Sequence, residues 1–238
     1  MYGDKAKIGL IVVSPDTTIE PEFNAMKPAG VSVHSTRILL TAGTVAAERK
    51  MLEGTEEAAR LLASAGVDII VFACTSGSSI NGIAGDSELV SRIEKATSIP
   101  ATTPTHAITN ALRALQIGRL ALLTPYNEEL TLVIEKVLDD SGFKVVNRKF
   151  GSYGIKMGQV PPETVYRQVL AVNTAEAEAI LISCTNFKTL SFIDKSEKEL
   201  NKFVISSNTA TMWEVLRRLN IRNPITGYGK LLVNTGFN

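Results

Sequence analysis

The sequence predicts an α/β protein of two similar lobes, each a mostly parallel sheet flanked by helices, the two related by pseudo-twofold symmetry. Three observations carry this expectation. Apolar runs of strand length alternate with longer amphipathic stretches, the same order of runs returns in the second half, and polar residues that close equivalent runs match at one constant shift.

In chain order, Ile8 to Val13 reads as a strand and Ala46 to Ser64 as a helix. Val67 to Ala73 reads as a strand buried on both faces, because it is apolar without alternation. Ser87 to Thr97 and Ala107 to Leu115 follow as helices. The cycle then repeats, with a strand at Leu120 to Leu123, a helix at Glu128 to Ser141 and a strand at Lys144 to Phe150. A helix at Glu163 to Val172 and a strand at Ala179 to Ser183 complete it.

Ser14-Pro15 matches Thr124-Pro125 at a shift of 110 residues, and the run Asp68 to Thr75 matches Glu178 to Thr185 at the same shift. Apolar identity alone would mean little, since Val/Ile-rich strands resemble one another. The Cys-Thr pair that closes both runs makes duplication the better account. Ala111 to Leu115 resembles Val215 to Leu219 at a shift of 104, so the second copy is shorter in between. The expected division is residues 1–104 plus 208–238 for one lobe and residues 105–207 for the other, with a site between them. No Pro/Gly/Ser linker separates the halves, which favours intimate packing.

Composition narrows the function classes. The chain has 238 residues, 45% hydrophobic and 21% charged, enough for a sizeable core. Its 25 basic and 24 acidic residues leave a formal charge of +1, so no field gathers polyanions and nucleic acid is not an expected partner. The segment Met1 to Lys7 carries Asp4, Lys5 and Lys7, and Ile8 to Val13 is too short for a signal or membrane-spanning segment. A cytoplasmic protein is expected, with no membrane partner and a homodimer as the default assembly. Gly77, Gly82 and Gly85 match neither nucleotide-binding fingerprint, and two histidines without a Cys or carboxylate cluster give no zinc pattern. Neither a cofactor nor a metal is expected.

The two cysteines, Cys74 and Cys184, sit at equivalent strand ends, where ligands bind in parallel sheets. Each precedes a small polar turn, Thr75 to Ser79 in one half and Thr185-Asn186 in the other. A helix N-terminus at such a turn would lower a thiol pKa from about 8.5 toward neutrality. A lone cysteine is usually a small buried hydrophobe, but matched placement points to a thiol on each side of one ligand. Two opposed thiols suit proton exchange at a carbon beside a carboxylate, or attack on an activated double bond by one of them. The Thr, Ser and Asn residues after each cysteine are donors for the developing enediolate.

Other candidates are weighed against plainer roles. Tyr126 stands at a strand end as a further oxyanion donor or an ordinary half-buried tyrosine. Asp16 holds the equivalent place in the first half, where helix capping is a better reading than holding a substrate ammonium. His34 and Arg37 read as structural strand-end groups, His106 as a surface or packing residue, and Met212 and Trp213 as core.

The chain resembles, over nearly its full length, the aspartate/glutamate racemase superfamily, in the branch of maleate cis–trans isomerases and arylmalonate decarboxylases. The features that carry the resemblance are Gly9 to Glu20, His34 to Arg37, Ala73 to Ser76, Thr124 to Tyr126, Ser183 to Thr185 and Gly227 to Leu231. The resemblance implies two α/β lobes, an active site between them and no cofactor or metal. It gives Cys74 and Cys184 the places of paired catalytic cysteines, and it gives Thr75, Ser76, Tyr126 and Thr185 a carboxylate cradle. The decarboxylases keep only the cysteine matching Cys184, so two cysteines favour an isomerase or racemase of a small carboxylic acid. An arylmalonate-type decarboxylase with Cys184 as proton donor is one alternative, and a non-catalytic carboxylate-binding protein is another. Asp16 stands where the isomerases carry asparagine, and its charge would repel a second substrate carboxylate. The loop Gly151 to Gly158 is similar to the apolar decarboxylase loop.

Overall fold

Every residue from Ile8 to Val13 and from Ile69 to Ala73 is buried, as strands covered by helices on both faces must be. These strands belong to the first half of a computed structural model that describes residues 2–233. That half comprises β1 (Ala6–Val13), α1 (Ile19–Met26), β2 (Val31–Ile38), α2 (Val45–Met51), α3 (Thr55–Ser64), β3 (Ile69–Ala73), α4 (Thr75–Ser79), α5 (Gly82–Thr97), β4 (Ala101–Thr102) and α6 (Pro104–Ala114). The second half comprises β5 (Arg119–Thr124), α7 (Glu128–Asp140), β6 (Lys144–Phe150), α8 (Pro162–Val172), β7 (Ala179–Ile182), α9 (Ile193–Leu200), β8 (Phe203–Ser206), α10 (Ser207–Arg218) and α11 (Lys230–Val233). Met1 and the far end of the expected first lobe, residues 234–238, lie outside the described residues.

The strands form two four-stranded sheets of identical order, β2-β1-β3-β4 and β6-β5-β7-β8, with every pairing parallel. The shift of 110 residues therefore superimposes topology as well as sequence: β1 corresponds to β5, and β3 to β7. The shift of 104 also has a structural meaning. Helices α6 and α10 start directly after the equivalent edge strands β4 and β8, and they pack on each other. Both are capped in the same way: Thr103 Oγ1 accepts the His106 N–H at 3.0 Å, and Ser206 Oγ accepts the Thr209 N–H at 3.1 Å. Met212 and Trp213 are buried in α10, as expected of core residues.

The fold departs from the sequence expectation in two respects. The single helix expected over Ala46 to Ser64 is broken into α2 and α3 by a tight turn at Leu52–Gly54. Glycine costs about 1 kcal/mol in a helix interior, and the chain turns where that cost falls. Strands β2, β4 and β8 complete the sheets beyond the expected ones. β4 has only two residues, too few for any periodicity, and β2 is a half-exposed edge strand whose His34 and Arg37 break its apolar pattern. Among the described residues no helix is long and apolar enough to cross a membrane.

Candidate active site

Strand order fixes where the two cysteines go. β3 and β7 are each one of the two inner strands of their sheets, and the chain turns sharply as it leaves each: the Cys74 N–H bonds Phe72 O at 3.0 Å, and the Cys184 N–H bonds Ile182 O at 3.3 Å. Each sulfur then accepts a backbone N–H from the turn that follows, Gly77 N at 3.3 Å for Cys74 and Asn186 N at 3.2 Å for Cys184. The halves differ beyond this point. Cys74 caps the short helix α4, whereas the chain after Cys184 stays in turns until α9 begins at Ile193. The helix N-terminus expected after both cysteines exists after only one.

Both sulfurs line one cleft between the sheets, with about 350 Å³ of empty space when its open mouth is included. Ser76, Tyr126, Thr185 and Asn186 supply polar walls, Val13, Pro15, Leu40, Ile155 and Met157 supply apolar ones, and among the described residues Glu48 is the only carboxylate on the wall. Among the described residues no lysine or arginine lines the cleft. Ile155 and Met157 come from the segment Gly154–Gln159, and Met157 Sδ lies 3.2 Å from Cys184 Sγ.

Of the residues expected to build the site, Cys74, Ser76, Tyr126, Cys184 and Thr185 come together on this wall. Thr75 does not line the cleft. Its hydroxyl turns away to donate to Ser207 Oγ on α10 at 2.9 Å, and it stands beside a separate small cavity with Ser79, Thr105 and Ser183. Asp16 also lies outside the lining. Its Oδ1 accepts the N–H groups of Thr18 and Ile19 at 2.7 and 3.1 Å, which holds the turn that leads into α1 although Thr18 is the helix's own N-cap, its side chain also reaches Thr185, and burial raises its pKa. Arg37 holds main-chain carbonyls of the same turn, including Asp16 O at 2.8 Å, and is structural. His34 contacts Ser32 Oγ on its own strand, and His106 is half-buried at the start of α6.

The hydroxyls near the sulfurs are already engaged within the protein. Ser76 donates to Glu48 Oε1 at 2.6 Å, Thr185 donates to Ala73 O at 3.4 Å across the two sheets, and Tyr126 bonds the Cys184 thiol.

The thiols are not activated in the way a helix N-terminus alone implies. Burial pushes the Cys184 thiol up to about 12, against the lowering effect of the Tyr126 and Asn186 hydrogen bonds. Burial and the neighbouring Glu48 carboxylate push Cys74 well above its ordinary value, outweighing Ser76 and the Gly77 N–H. Desolvation at positions as buried as these costs a thiolate more than one N–H dipole returns. Both cysteines are free, and both rest as protonated thiols.

Glu48 is the residue that sequence reasoning missed, whereas Met157 lies in the loop Gly151 to Gly158 that the sequence singled out only as a segment. Glu48 lies in the charged run Ala47 to Lys50, where Arg49 and Lys50 are exposed and Glu48 alone is turned inward, 1% exposed. An acidic residue in such a run carries no signal of burial. Among the described residues no group of three or more His, Cys, Asp or Glu side chains is placed to hold a metal ion.

Two parallel sheets of the same strand order, with a cysteine from the end of an inner strand of each lining one cleft, define a candidate two-thiol site on an α/β fold. The chain belongs to the arylmalonate decarboxylase family, whose model matches residues 8–232. It is 26% identical to maleate isomerase of Nocardia farcinica over 238 residues, 95% of each chain. It is 31% identical to arylmalonate decarboxylase of Bordetella bronchiseptica over 173 residues, 70% of this chain and 71% of that one. Its fold matches that of a Nocardia farcinica maleate cis–trans isomerase mutant carrying a covalently bound succinylcysteine intermediate. The TM-score there is 0.92 at 25% identity, covering 95% of this chain and 98% of that one.

Proposed function

We propose that the protein is a cofactor-independent isomerase or racemase of a small carboxylic acid, with Cys74 and Cys184 acting on opposite faces of the substrate. The observation that carries this reading is the meeting of both sulfurs, from equivalent strand ends of the two repeats, in one cleft. Proton transfer at carbon needs an acid and a base on opposite sides of the reacting atom, and duplication provides matched groups there. One thiol, once deprotonated, takes the hydrogen beside the substrate carboxylate, and the other thiol delivers a proton to the far face. Ser76, Tyr126 and Thr185 hold the carboxylate and the enediolate formed from it, and the main chain at Thr75 completes that cradle. The succinylcysteine of the Nocardia farcinica isomerase supports a second use of the same pair. In that use one thiolate would add to a carbon–carbon double bond, the other thiol would protonate the adjacent carbon, the resulting single bond would rotate, and removal of that proton with loss of the thiolate would restore the double bond and both sulfurs. Free thiols at both centres suit a reducing, cytoplasmic setting.

The apolar wall of Val13, Leu40, Ile155 and Met157, together with the 31% identity to the Bordetella bronchiseptica enzyme, favours a second reading. In it an arylmalonate loses CO₂ in the cleft and Cys184 protonates the resulting carbanion. Proton NMR in D₂O with maleate, phenylmalonate, aspartate and glutamate separates the two. Isomerisation or α-deuteration lost in both Cys74→Ala and Cys184→Ala supports the two-thiol reading. CO₂ release that survives Cys74→Ala and is lost in Cys184→Ala supports the decarboxylase, and turnover that survives both substitutions removes both.

A further inference from the structure

The two-thiol reading needs a thiolate, yet burial leaves both cysteines as thiols, so a group must accept the first proton. The cleft holds one candidate. Glu48 Oε2 lies 3.6 Å from Cys74 Sγ, in the direction in which the thiol donates, and its other oxygen is fixed at 2.6 Å by Ser76 Oγ–H. Helix α2 presents it there: Thr44 Oγ1 caps the helix by accepting the Ala47 N–H, and the Glu48 N–H bonds Thr44 O at 3.0 Å. The side chain then passes inward beneath α4. Among the described residues Glu48 has no ion pair. A carboxyl group buried without a cation costs stability, and such costs persist mainly where chemistry requires them.

The geometry points to Glu48 as the base that relieves Cys74 of its proton, a positioning residue for the two-thiol reaction that acts through the sulfur. This rests on the reading above. In the first step the Cys74 S–H bond breaks and a Glu48 O–H bond forms, leaving a thiolate beside a neutral carboxylic acid. The thiolate takes the substrate α-hydrogen and becomes a thiol again. Cys184 gives its proton to the opposite face and is left as thiolate, so one proton now resides on Glu48 and one is missing from Cys184. Exchange of that proton through solvent resets the site. The halves are therefore unequal: Cys74 has a carboxylate in hydrogen-bond contact, whereas Cys184 touches the Tyr126 hydroxyl and the Met157 thioether and feels the Asp16 carboxylate only through space.

The titratable groups that face Glu48 are Cys74 at the start of α4, Tyr126 after β5 and Cys184 after β7. Arg49 and Lys50 on its own helix point to solvent. Burial raises the Glu48 pKa above the ordinary carboxylate value, which makes it a stronger base than a solvated carboxylate.

The test uses Glu48→Gln, which keeps the shape and the Ser76 hydrogen bond but cannot take a proton, with Glu48→Asp as a second variant that keeps the carboxylate. The reaction followed is α-deuteration or isomerisation of whichever of the four acids above is turned over. Glu48→Gln is expected to lower kcat by about 10²- to 10⁴-fold with KM little changed, and to abolish the acid limb of the pH profile. Glu48→Asp is expected to recover part of the rate. In a Cys184→Ala background, the ultraviolet absorbance of the Cys74 thiolate is expected to appear at lower pH when Glu48→Gln is added, because the neighbouring negative charge is gone. A thiol that ionises more readily while the reaction slows is a pairing that loss of packing does not produce. An unchanged kcat and pH profile in Glu48→Gln, or a Cys74 titration that does not move, overturns the assignment while leaving the two-thiol reading intact. Full turnover in Cys74→Ala instead overturns the reading on which it rests.

Discussion

Asn186, two residues after Cys184, accepts the backbone N–H of Thr17 through its side-chain Oδ1 at 3.1 Å, and its Nδ2 donates to Pro15 O at 3.1 Å. One amide thus ties the turn after β7 to the turn after β1, while its own backbone N–H is held by the Cys184 sulfur. The cleft is closed on this side by a bond between the two repeats. It also fixes the Cys184 sulfur relative to Pro15 on the wall.

That tie leaves no room at Gly158. A Cβ built there would lie 2.5 Å from Asn186 Oδ1 and 3.0 Å from Thr17 Oγ1, both inside contact distance. Gly158→Ala is expected to displace the Asn186 amide and to leave the buried Thr18 hydroxyl, which donates to the same Asn186 Oδ1 at 3.0 Å, without its acceptor. An unpaired buried polar group costs about 1–3 kcal/mol. Thermal unfolding should show a clear loss of stability, and turnover should fall with it, because the turn carrying Cys184 moves with Asn186. An unfolding temperature equal to that of the parent protein would show that the segment Gly154–Gln159 yields instead.

Tyr126 tests the other wall. Its ring is buried, and burial holds its hydroxyl protonated well above its ordinary pKa, so it remains a donor throughout the working range. Tyr126→Phe is expected to raise the Cys184 thiol further above about 12, since the hydrogen bond it loses is the strongest effect opposing desolvation there. If the same hydroxyl turns to the enediolate during reaction, kcat falls by about 10²- to 10³-fold. Steady-state kinetics measure the fall. Retention of full kcat would assign Tyr126 to packing alone.

Much of this arrangement is legible in the sequence because duplication writes it twice. The Cys-Thr pairs ending Ile69 to Ala73 and Ala179 to Ile182 mark equivalent sheet positions, and the two sheets have the same strand order. Thr75 shows the limit of that reasoning. Its type and position match a donor to ligand, but the direction of its side chain depends on Ser207, 132 residues away. The thiol ionisation was similarly out of reach. Local sequence places N–H dipoles beside each sulfur, whereas desolvation depends on how completely Leu40, Ile155 and Met157 cover the cleft. Glu48 combines both difficulties, being an ordinary surface-type residue by neighbourhood and a buried one only by tertiary packing.

A second acidic residue, Glu22 on α1, predicts how stability changes with pH. Its Oε1 accepts the N–H of Thr189 at 2.7 Å and of Leu190 at 3.3 Å, and its Oε2 accepts from Asn208 Nδ2 at 2.7 Å. These bonds anchor the chain that runs on from Cys184, yet burial outweighs them and raises the Glu22 pKa from 4.5 to about 7. Asp86 is raised to about 7 by burial as well. With a folded pKa above the unfolded one, the native state binds the proton more tightly between the two values. The stability from Glu22 is therefore complete below pH 4.5, declines as pH rises toward 7 and is fully lost above it. The loss is on the order of 3 kcal/mol at 1.36 kcal/mol per pKa unit. The unfolding temperature of the parent protein is expected to decrease from pH 5 to pH 8. Glu22→Gln is expected to be less stable at pH 5, because its amide nitrogen then faces the Asn208 donor, but to lose less stability across the same range. Parallel slopes for the two proteins would mean that the Glu22 bonds to Thr189, Leu190 and Asn208 keep it ionised throughout.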